Sequence, residues 1–475
     1  MDSPARDKRL EKTTLLVTTI TAFFAPFAIT ALNMALPAMQ KELHINASHI
    51  GWLATSYLLA MAVTIVPGGR LADIYGRRRF FFLGVLCYTA GCLVGLVAPS
   101  FPILLLSQIL QGGGNALTSV TGVIILTSVY PPAHRGKALG IYVAAVYVGL
   151  ATGPLAGGAI NDHFGWRAIF LAMLLPALLL LVIRLKGESY GPKGVRFDPV
   201  GSFLYITFIL SLIIGASRIL TPAGMGLCLL GALLFLFFIR YQLHHPSPIF
   251  ELRLFTTNRT FTFSSAAALL NYSATFAITL MMSLYLQYLH GMSAEKAGML
   301  LMVQPLTMAL TSPLAGRLSD RIGPRRPATL GMVITFLGVL FFTRLTAQTD
   351  LYWILANLLF LGIGFSLFGS PNMSAIMGSV NKSDYGLASQ TVAIMRIFGQ
   401  MLSMTTMTVV LTLVIGRQEI HPAQYGLFLK SLHIVYIVSS LSCLLGIFFS
   451  WNRGGKTQER LSTQKKTPPS QGRRG

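Results

Sequence analysis

Few side chains in this chain combine chemistry with a position deep inside an apolar stretch. Arg396, in "YGLASQTVAIMRIFGQ" (385–400), is the one Lys or Arg that falls well inside such a run. A guanidinium placed there has two uses: it attracts an anionic or zwitterionic amphiphile, or it satisfies carbonyls and neighbouring polar groups and stiffens its surroundings. His433 is the best-placed titratable group, because imidazole changes charge near neutral pH. Hydrogen-bonded packing is the commoner role for a histidine in such a place, and Asp162, near the end of a run, is the other proton-site candidate. No Asp or Glu falls at mid-depth in any run, which removes the usual intramembrane carboxylate relay.

Around Arg396 the remaining polar groups are neutral. Thr30, Asn33, Gln108, Gln111 and Asn115 come from the first third of the chain, and Tyr142 follows. Asn271, Tyr272, Gln304, Asn357, Asn372, Gln390 and Gln400 come from the second half. Together they are the expected lining of an uncharged polar cavity, with Phe23, Phe27, Met281 and Met282 as an adaptable apolar wall. Any one of them alone reads more readily as hydrogen-bonded helix packing.

Enzyme chemistry finds no support: no HExxH, no Ser or Cys nucleophile set with His and Asp, and no carboxylate pair in a span. Cys87, Cys92, Cys228 and Cys443 all lie in apolar runs without metal or redox spacing, so neither a metal nor a cofactor is expected.

The elements that must position these groups are membrane spans. The 475 residues are 53% hydrophobic and 11% charged, with a mean hydropathy of +0.64, too apolar for a water-soluble surface. About fourteen apolar runs, from 14–39 to 425–451, with the ninth at 260–288 and the tenth at 297–318, are each long enough to cross about 30 Å of hydrocarbon as a helix. A barrel would show only weak alternation over about 10 residues. The first run is followed by further spans, so it reads as an uncleaved first helix.

The net charge of +22 is mostly topology, since about 29 of the 37 Lys and Arg fall in every second gap or in the tails. That places both termini in the cytoplasm. Nucleic acid is not an expected partner; the lipid bilayer and a small-molecule substrate are, and the chain is expected to be a monomer.

An internal repeat divides the chain. "GRLADIYGRRR" from Gly69 and "GRLSDRIGPRR" from Gly316 agree at Gly69/Gly316, Arg70/Arg317, Leu71/Leu318, Asp73/Asp320, Gly76/Gly323, Arg78/Arg325 and Arg79/Arg326. If each copy follows the second helix of a six-helix unit, spans seven and eight are an inserted pair. The expected divisions are a cytoplasmic tail at 1–13, a first bundle at 14–190, and two linker helices with a loop at 191–258. A second bundle follows at 259–452, then a disordered basic tail at 453–475. In the repeated loops Asp73, Arg77, Arg78, Asp320 and Arg325 are candidates for a conformational latch; a topology-setting turn is the plainer alternative. Gly149, Gly153 and Gly157 recur every four residues beside Pro154, making one small-residue face that admits a neighbouring backbone.

These motifs resemble the major facilitator superfamily, specifically its fourteen-span drug:proton antiporter branch. "WLATSYLLAMAVTIVPGGRLADIYGRRR" (52–79) is similar to that branch's second-helix and loop signature, "GLATGPLAGG" (149–158) and "FGWRAIF" (164–170) to its fifth-helix antiporter motif and sixth-helix entry, and the Arg396 stretch to its penultimate-helix entry. The resemblance implies an all-α polytopic membrane protein with the major facilitator fold, two six-helix bundles plus two inserted helices. It also implies alternating-access efflux of drug-like molecules across the cell (inner) membrane. Two charged positions of the branch are missing together. The first-helix Asp is Ala28 and the fourth-helix Arg is Gln108, so the shape transfers more safely than the proton coupling. A proton-independent facilitator of an anionic or lipid-like metabolite, and a non-transporting sensor, are the alternatives.

Overall fold

A computed structural model describes residues 4–131, 134–182, 190, 196–246, 248–250, 252–381, 385–416 and 418–454. Most of the expected basic tail lies outside the described residues.

The first six helices are α1 (Pro4–Leu43), α2 (Ala47–Tyr75), α3 (Arg77–Leu96), α4 (Phe101–Val129), α5 (Arg135–Phe164) and α6 (Arg167–Val182). They pack as α1 on α5, α2 on α4, and α3 on α4 and α6. A pair follows, α7 (Pro199–Ser217) on α8 (Pro222–His244), then the one-turn α9 (Arg253–Thr257). The second group is α10 (Arg259–Tyr288), α11 (Ala294–Leu301), α12 (Val303–Ile322), α13 (Arg325–Phe342), α14 (Leu351–Gly378), α15 (Tyr385–Val414) and α16 (Tyr425–Asn452). Within it α10 packs on α15 and α16, α12 and α13 on α14, and α13 on α16.

Thirteen of the described helices are long and apolar enough to cross a membrane, counting α11 with α12 as one; the described part of α6 is shorter. Among the described residues there is no strand. These thirteen, together with the shorter α6, fit two six-helix bundles with an inserted pair. Helix α1 starts at Pro4, inside the stretch expected to be a tail.

Local sequence explains several boundaries. Asn46 caps α2 by accepting from His49 N at 2.9 Å, and Asp198, Asn258 and Ser293 cap α7, α10 and α11 in the same way. The expected tenth span, 297–318, is broken between α11 and α12 at Met302. Pro305, one turn on, lacks the N–H that would continue the ladder to Leu301. The two repeated loops turn on Gly76 (φ 114°) and Gly323 (φ 81°), conformations that a side chain would strain.

The inserted pair is tied to both bundles. The Tyr205 hydroxyl of α7 donates to Ala62 O of α2 at 2.8 Å, and its ring lies 6.2 Å from that of Phe398 of α15. Asp198, almost fully buried, joins α7 to α8 by accepting from Gln242 Nε2 at 2.9 Å and Tyr241 Oη at 3.1 Å. Arg70, in the repeated motif, donates to the Pro248 carbonyl beyond α8.

Candidate functional site

The bundles meet most closely on one face of the molecule, the face opposite the Arg77–Arg79 loop. Small residues make the approach possible. A Cβ on Gly158 of α5 would lie 2.3 Å from Ala294 O, and one on Gly298 of α11 would lie 2.2 Å from Pro154 O. Gly51 of α2 is similarly pressed on Thr408 of α15.

Neutral hydrogen bonds complete this seal. Thr55 and Thr408 hydroxyls are 3.3 Å apart, and Thr412 donates to Ser48 at 3.0 Å. Ser283 donates to Asn33 O at 3.2 Å, and Gln287 to Met34 O at 3.1 Å. At the rim Asp162 accepts from Glu295 N at 2.8 Å, His163 lies 3.3 Å from Glu295, and His44 lies 3.6 Å from Glu419.

On the basic side of this seal a polar group forms where both bundles reach. Arg396 of α15 lies near Tyr142 and Tyr147 of α5, and Tyr147 lies near Ser312 of α12 and Tyr272 of α10. Counted at 1.5 Å per residue, all five sit about 10 to 20 Å along their helices from the basic end. Gly399, one turn beyond Arg396, abuts the Tyr272 Cβ and Leu269 O, so α10 and α15 are in close contact at this depth. Arg396, Tyr142, Tyr147, Tyr272 and Ser312 are each half-buried. Among the described residues Arg396 has neither a hydrogen-bond partner nor a carboxylate within ion-pair distance.

The sequence-derived lining divides into three sets. Tyr142, Tyr272 and Arg396 belong to this group, and Tyr147 and Ser312 join it without having been singled out by sequence. Gln390 and Gln400 are half-buried on the same helix as Arg396, and Gln304 is buried where Gly362 of α14 meets α12.

Asn33, Gln108 and Tyr57 line a separate cavity of about 30 Å³ inside the first bundle, far below the roughly 300–1,000 Å³ of a drug-sized site. Ala28, in the same bundle, is almost fully buried. Asn115 donates to Tyr57 Oη at 2.7 Å and lies close to this cavity.

The rest are joints within one bundle. Thr30 bonds Pro26 O and presses on Gly153; Gln111 donates at 2.9 Å to Ser107 Oγ of the same helix, which donates in turn to Gly91 O of α3 at 2.7 Å; Asn357 donates to Gly338 O at 2.9 Å. Asn271 points its amide at Met332 Sδ, 3.1 Å away. Asn372 donates to Ser264 O and accepts from Arg453 at 2.9 Å. Arg453 is almost fully buried at the end of α16, and burial together with the nearby Arg325 pulls its pKa down to about 10.

The other motif residues are placed as follows. Asp73 accepts from Arg77 Nε at 2.7 Å, with Arg78 half-buried beside them. In the second copy Pro324 stands where Arg77 would be, Asp320 is exposed, and Arg325 stacks on Trp451 at 4.5 Å. Gly149, Gly153 and Gly157 press on Phe23, Thr30 and Ala31 of α1, so this seam lies within the first bundle; Pro154, by its carbonyl, and Gly158 face the second. The His433 ring nitrogen Nε2 lies 2.7 Å from Leu345 O, a partner that only accepts, so it carries a proton there.

A family model described as Major Facilitator Superfamily matches residues 18–404 and 264–472. This chain belongs to that superfamily. Among curated facilitators it is 29% identical to the riboflavin transporter RibZ of Clostridioides difficile, over 80% of this chain and 84% of that one. It is also 29% identical to the multidrug resistance protein Stp of Mycobacterium tuberculosis, over 85% and 76%. Solved facilitator structures share the fold. A peptide transporter in complex with alafosfalin aligns with a TM-score of 0.68 at 13% identity, covering 94% of this chain and 98% of that one. A bacterial homolog of the human lysosomal transporter Spinster, in an inward-facing and unoccupied conformation, aligns with a TM-score of 0.65 at 18% identity, covering 99% and 100%. The protein is thus a multi-pass membrane transporter of small molecules.

Proposed function

We propose that this facilitator exports small amphipathic molecules from the cytoplasm by alternating access, as a monomer in the cell (inner) membrane and not as an enzyme. The observation that carries the reading is the asymmetry between the two faces. Gly158 on Ala294, Gly298 on Pro154 and the Thr55–Thr408 contact close one face, while the Arg396 and tyrosine group sits on the basic side of that closure. With the basic side and both termini in the cytoplasm, an orientation that the excess of Lys and Arg supports, this is the inward-facing state.

The rocking units correspond to 14–190 and 259–452, with 1–13 and 453–475 as cytoplasmic tails and the 191–258 insert bracing α2 against α15 through Tyr205. The Asp73–Arg77 pair and the Arg70 contact with Pro248 are the cytoplasmic latch parts that must rearrange when that side closes. Relatives named as a multidrug resistance protein and a riboflavin transporter support a cargo of small, partly apolar molecules.

Purified protein in liposomes loaded with a panel of fluorescent amphiphiles of differing charge tests the reading. Saturable, protein-dependent flux of at least one member is expected. No flux and no binding across the panel would refute it.

A further inference from the structure

Resting on the transport reading above, we propose that the central site selects an anionic amphiphile and that its export is electrogenic, driven by the membrane potential without a proton in exchange. Arg396 lies in the part of the molecule that both bundles reach, with Tyr142 and Tyr147 facing it from α5 and Tyr272 beside them on α10. Guanidinium groups only donate, and phenol hydroxyls donate readily, so the group is rich in donors and holds no anionic acceptor. Among the described residues no carboxylate approaches it. The described acids nearest the bundle interface, Asp162, Glu295 and Glu419, stand at the far rim beyond the seal.

A lone cation at this depth is costly to leave unneutralised, and an anion entering from the open cytoplasmic side removes that cost. A cationic ligand would add a second like charge in the same space. Two tyrosines near Arg396, with a third beside Tyr147, suit a planar apolar body attached to the anionic group.

The charge count then fixes the energetics. With the substrate bound the site is neutral; empty, it carries one positive charge. A cycle that releases one anion outside moves one negative charge outward, the downhill direction when the cytoplasm is negative. An imposed potential of about 100 mV biases a monovalent anion's distribution by about 50-fold. Among the described residues no acid or imidazole that could carry a counter-moving proton stands in this group: Tyr142 and Tyr147 lie by Arg396, and Tyr272 and Ser312 lie by Tyr147.

The test uses the full chain in nanodiscs and liposomes with three probes that share one ring system: naphthalene sulfonate, naphthyl methanol and naphthylmethyl trimethylammonium. The sulfonate is expected to bind at least about tenfold tighter than either of the others, corresponding to about 1.4 kcal/mol. Arg396→Gln should erase the preference and Arg396→Lys should keep most of it, with thermal melting of both variants checked so that misfolding is not scored as lost affinity. Sulfonate efflux from loaded liposomes should accelerate under an inside-negative potassium diffusion potential and ignore a pH gradient. Equal or tighter binding of the ammonium, a charge preference that survives Arg396→Gln, or efflux that follows pH and not potential would overturn the inference. Flux of neutral or cationic dyes with no sulfonate preference sinks this inference alone. Sulfonate binding at Arg396 with no flux of any probe sinks the transport reading instead.

Discussion

Adding one methyl group at Gly298 separates a moving contact from a static one. Its Cβ would lie 2.2 Å from Pro154 O and 2.6 Å from Pro154 C, so the obstruction is backbone and cannot rotate away. Overpacking of this kind costs about 1–3 kcal/mol. The contact joins α11 of one bundle to α5 of the other, so the cost falls on the sealed state and is relieved when that face opens. The equilibrium should therefore shift toward the outward-open state by about 5- to 150-fold. Gly157→Ala is the control, because its Cβ would meet Ala31 Cα at 2.4 Å inside the first bundle, a contact kept in both states. A cysteine at Asn33, 4% exposed and bonded across the seal through its carbonyl to Ser283, reports the opening in a background where Cys87, Cys92, Cys228 and Cys443 are replaced. An impermeant maleimide added outside should label Asn33→Cys faster in Gly298→Ala by the fold-change above and no faster in Gly157→Ala. Equal losses of melting temperature in the two glycine variants, with unchanged labelling, would refute the assignment of Gly298 to a gate.

Cross-linking gives a second check: a Ser48→Cys/Thr412→Cys pair, replacing hydroxyls 3.0 Å apart, should oxidise readily, stop flux when fully linked and recover on reduction. Tyr147→Phe removes a hydroxyl donor beside Arg396 and should weaken binding of an anionic probe by about 2- to 13-fold, the value of one hydrogen bond, at little cost in melting temperature. Asn372→Leu removes the acceptor for the buried Arg453 and should cost about 1–3 kcal/mol of stability while leaving probe affinity unchanged, measured by thermal melting and equilibrium binding. Ala28→Asp places an unpaired acid at an almost fully buried position and should destabilise by about 3–5 kcal/mol unless Gln108→Arg accompanies it, read as the coupling term of a double-mutant cycle.

The spans were legible because each must satisfy its own backbone in lipid, and that requirement writes long apolar runs into the sequence. The expected ninth span, 260–288, matches α10 at Arg259–Tyr288 closely. The repeat was legible through its glycines, since Gly76 and Gly323 both need a left-handed backbone. What sequence did not supply is the neighbour. Gly149, Gly153 and Gly157 announce that some backbone comes close, yet their spacing is the same whether that backbone is α1 of the same bundle or α11 of the other. Gln111, Asn271, Asn357 and Asn372 meet the same ambiguity, because a polar side chain in a span can face a cavity or another helix with identical periodicity, and here each is bonded to or aimed at a partner inside its own bundle. Tyr147 carries no sequence signal of its own, since a tyrosine in an apolar helix reads as packing. Only its closeness to Ser312, Tyr272 and Arg396 on three other helices marks it.

The seal itself bears on what can drive the cycle. Its deep contacts among the described residues join hydroxyls to hydroxyls, or hydroxyls and an amide to carbonyls, at Thr55, Thr408, Ser48, Thr412, Ser283 and Gln287, and none of these groups changes charge across the physiological pH range. The ionisable pairs that cross the interface, His163 with Glu295 and His44 with Glu419, stand at the rim with the histidines 64% and 80% exposed, where water and salt leave an ion pair little weight. Ala28 and Gln108 are neutral where the resembling branch carries an acid and a base. A gate whose interior bonds are indifferent to protons fits the proposal that occupancy of the site and the field across the membrane set it, with Arg396 as the handle through which both would act.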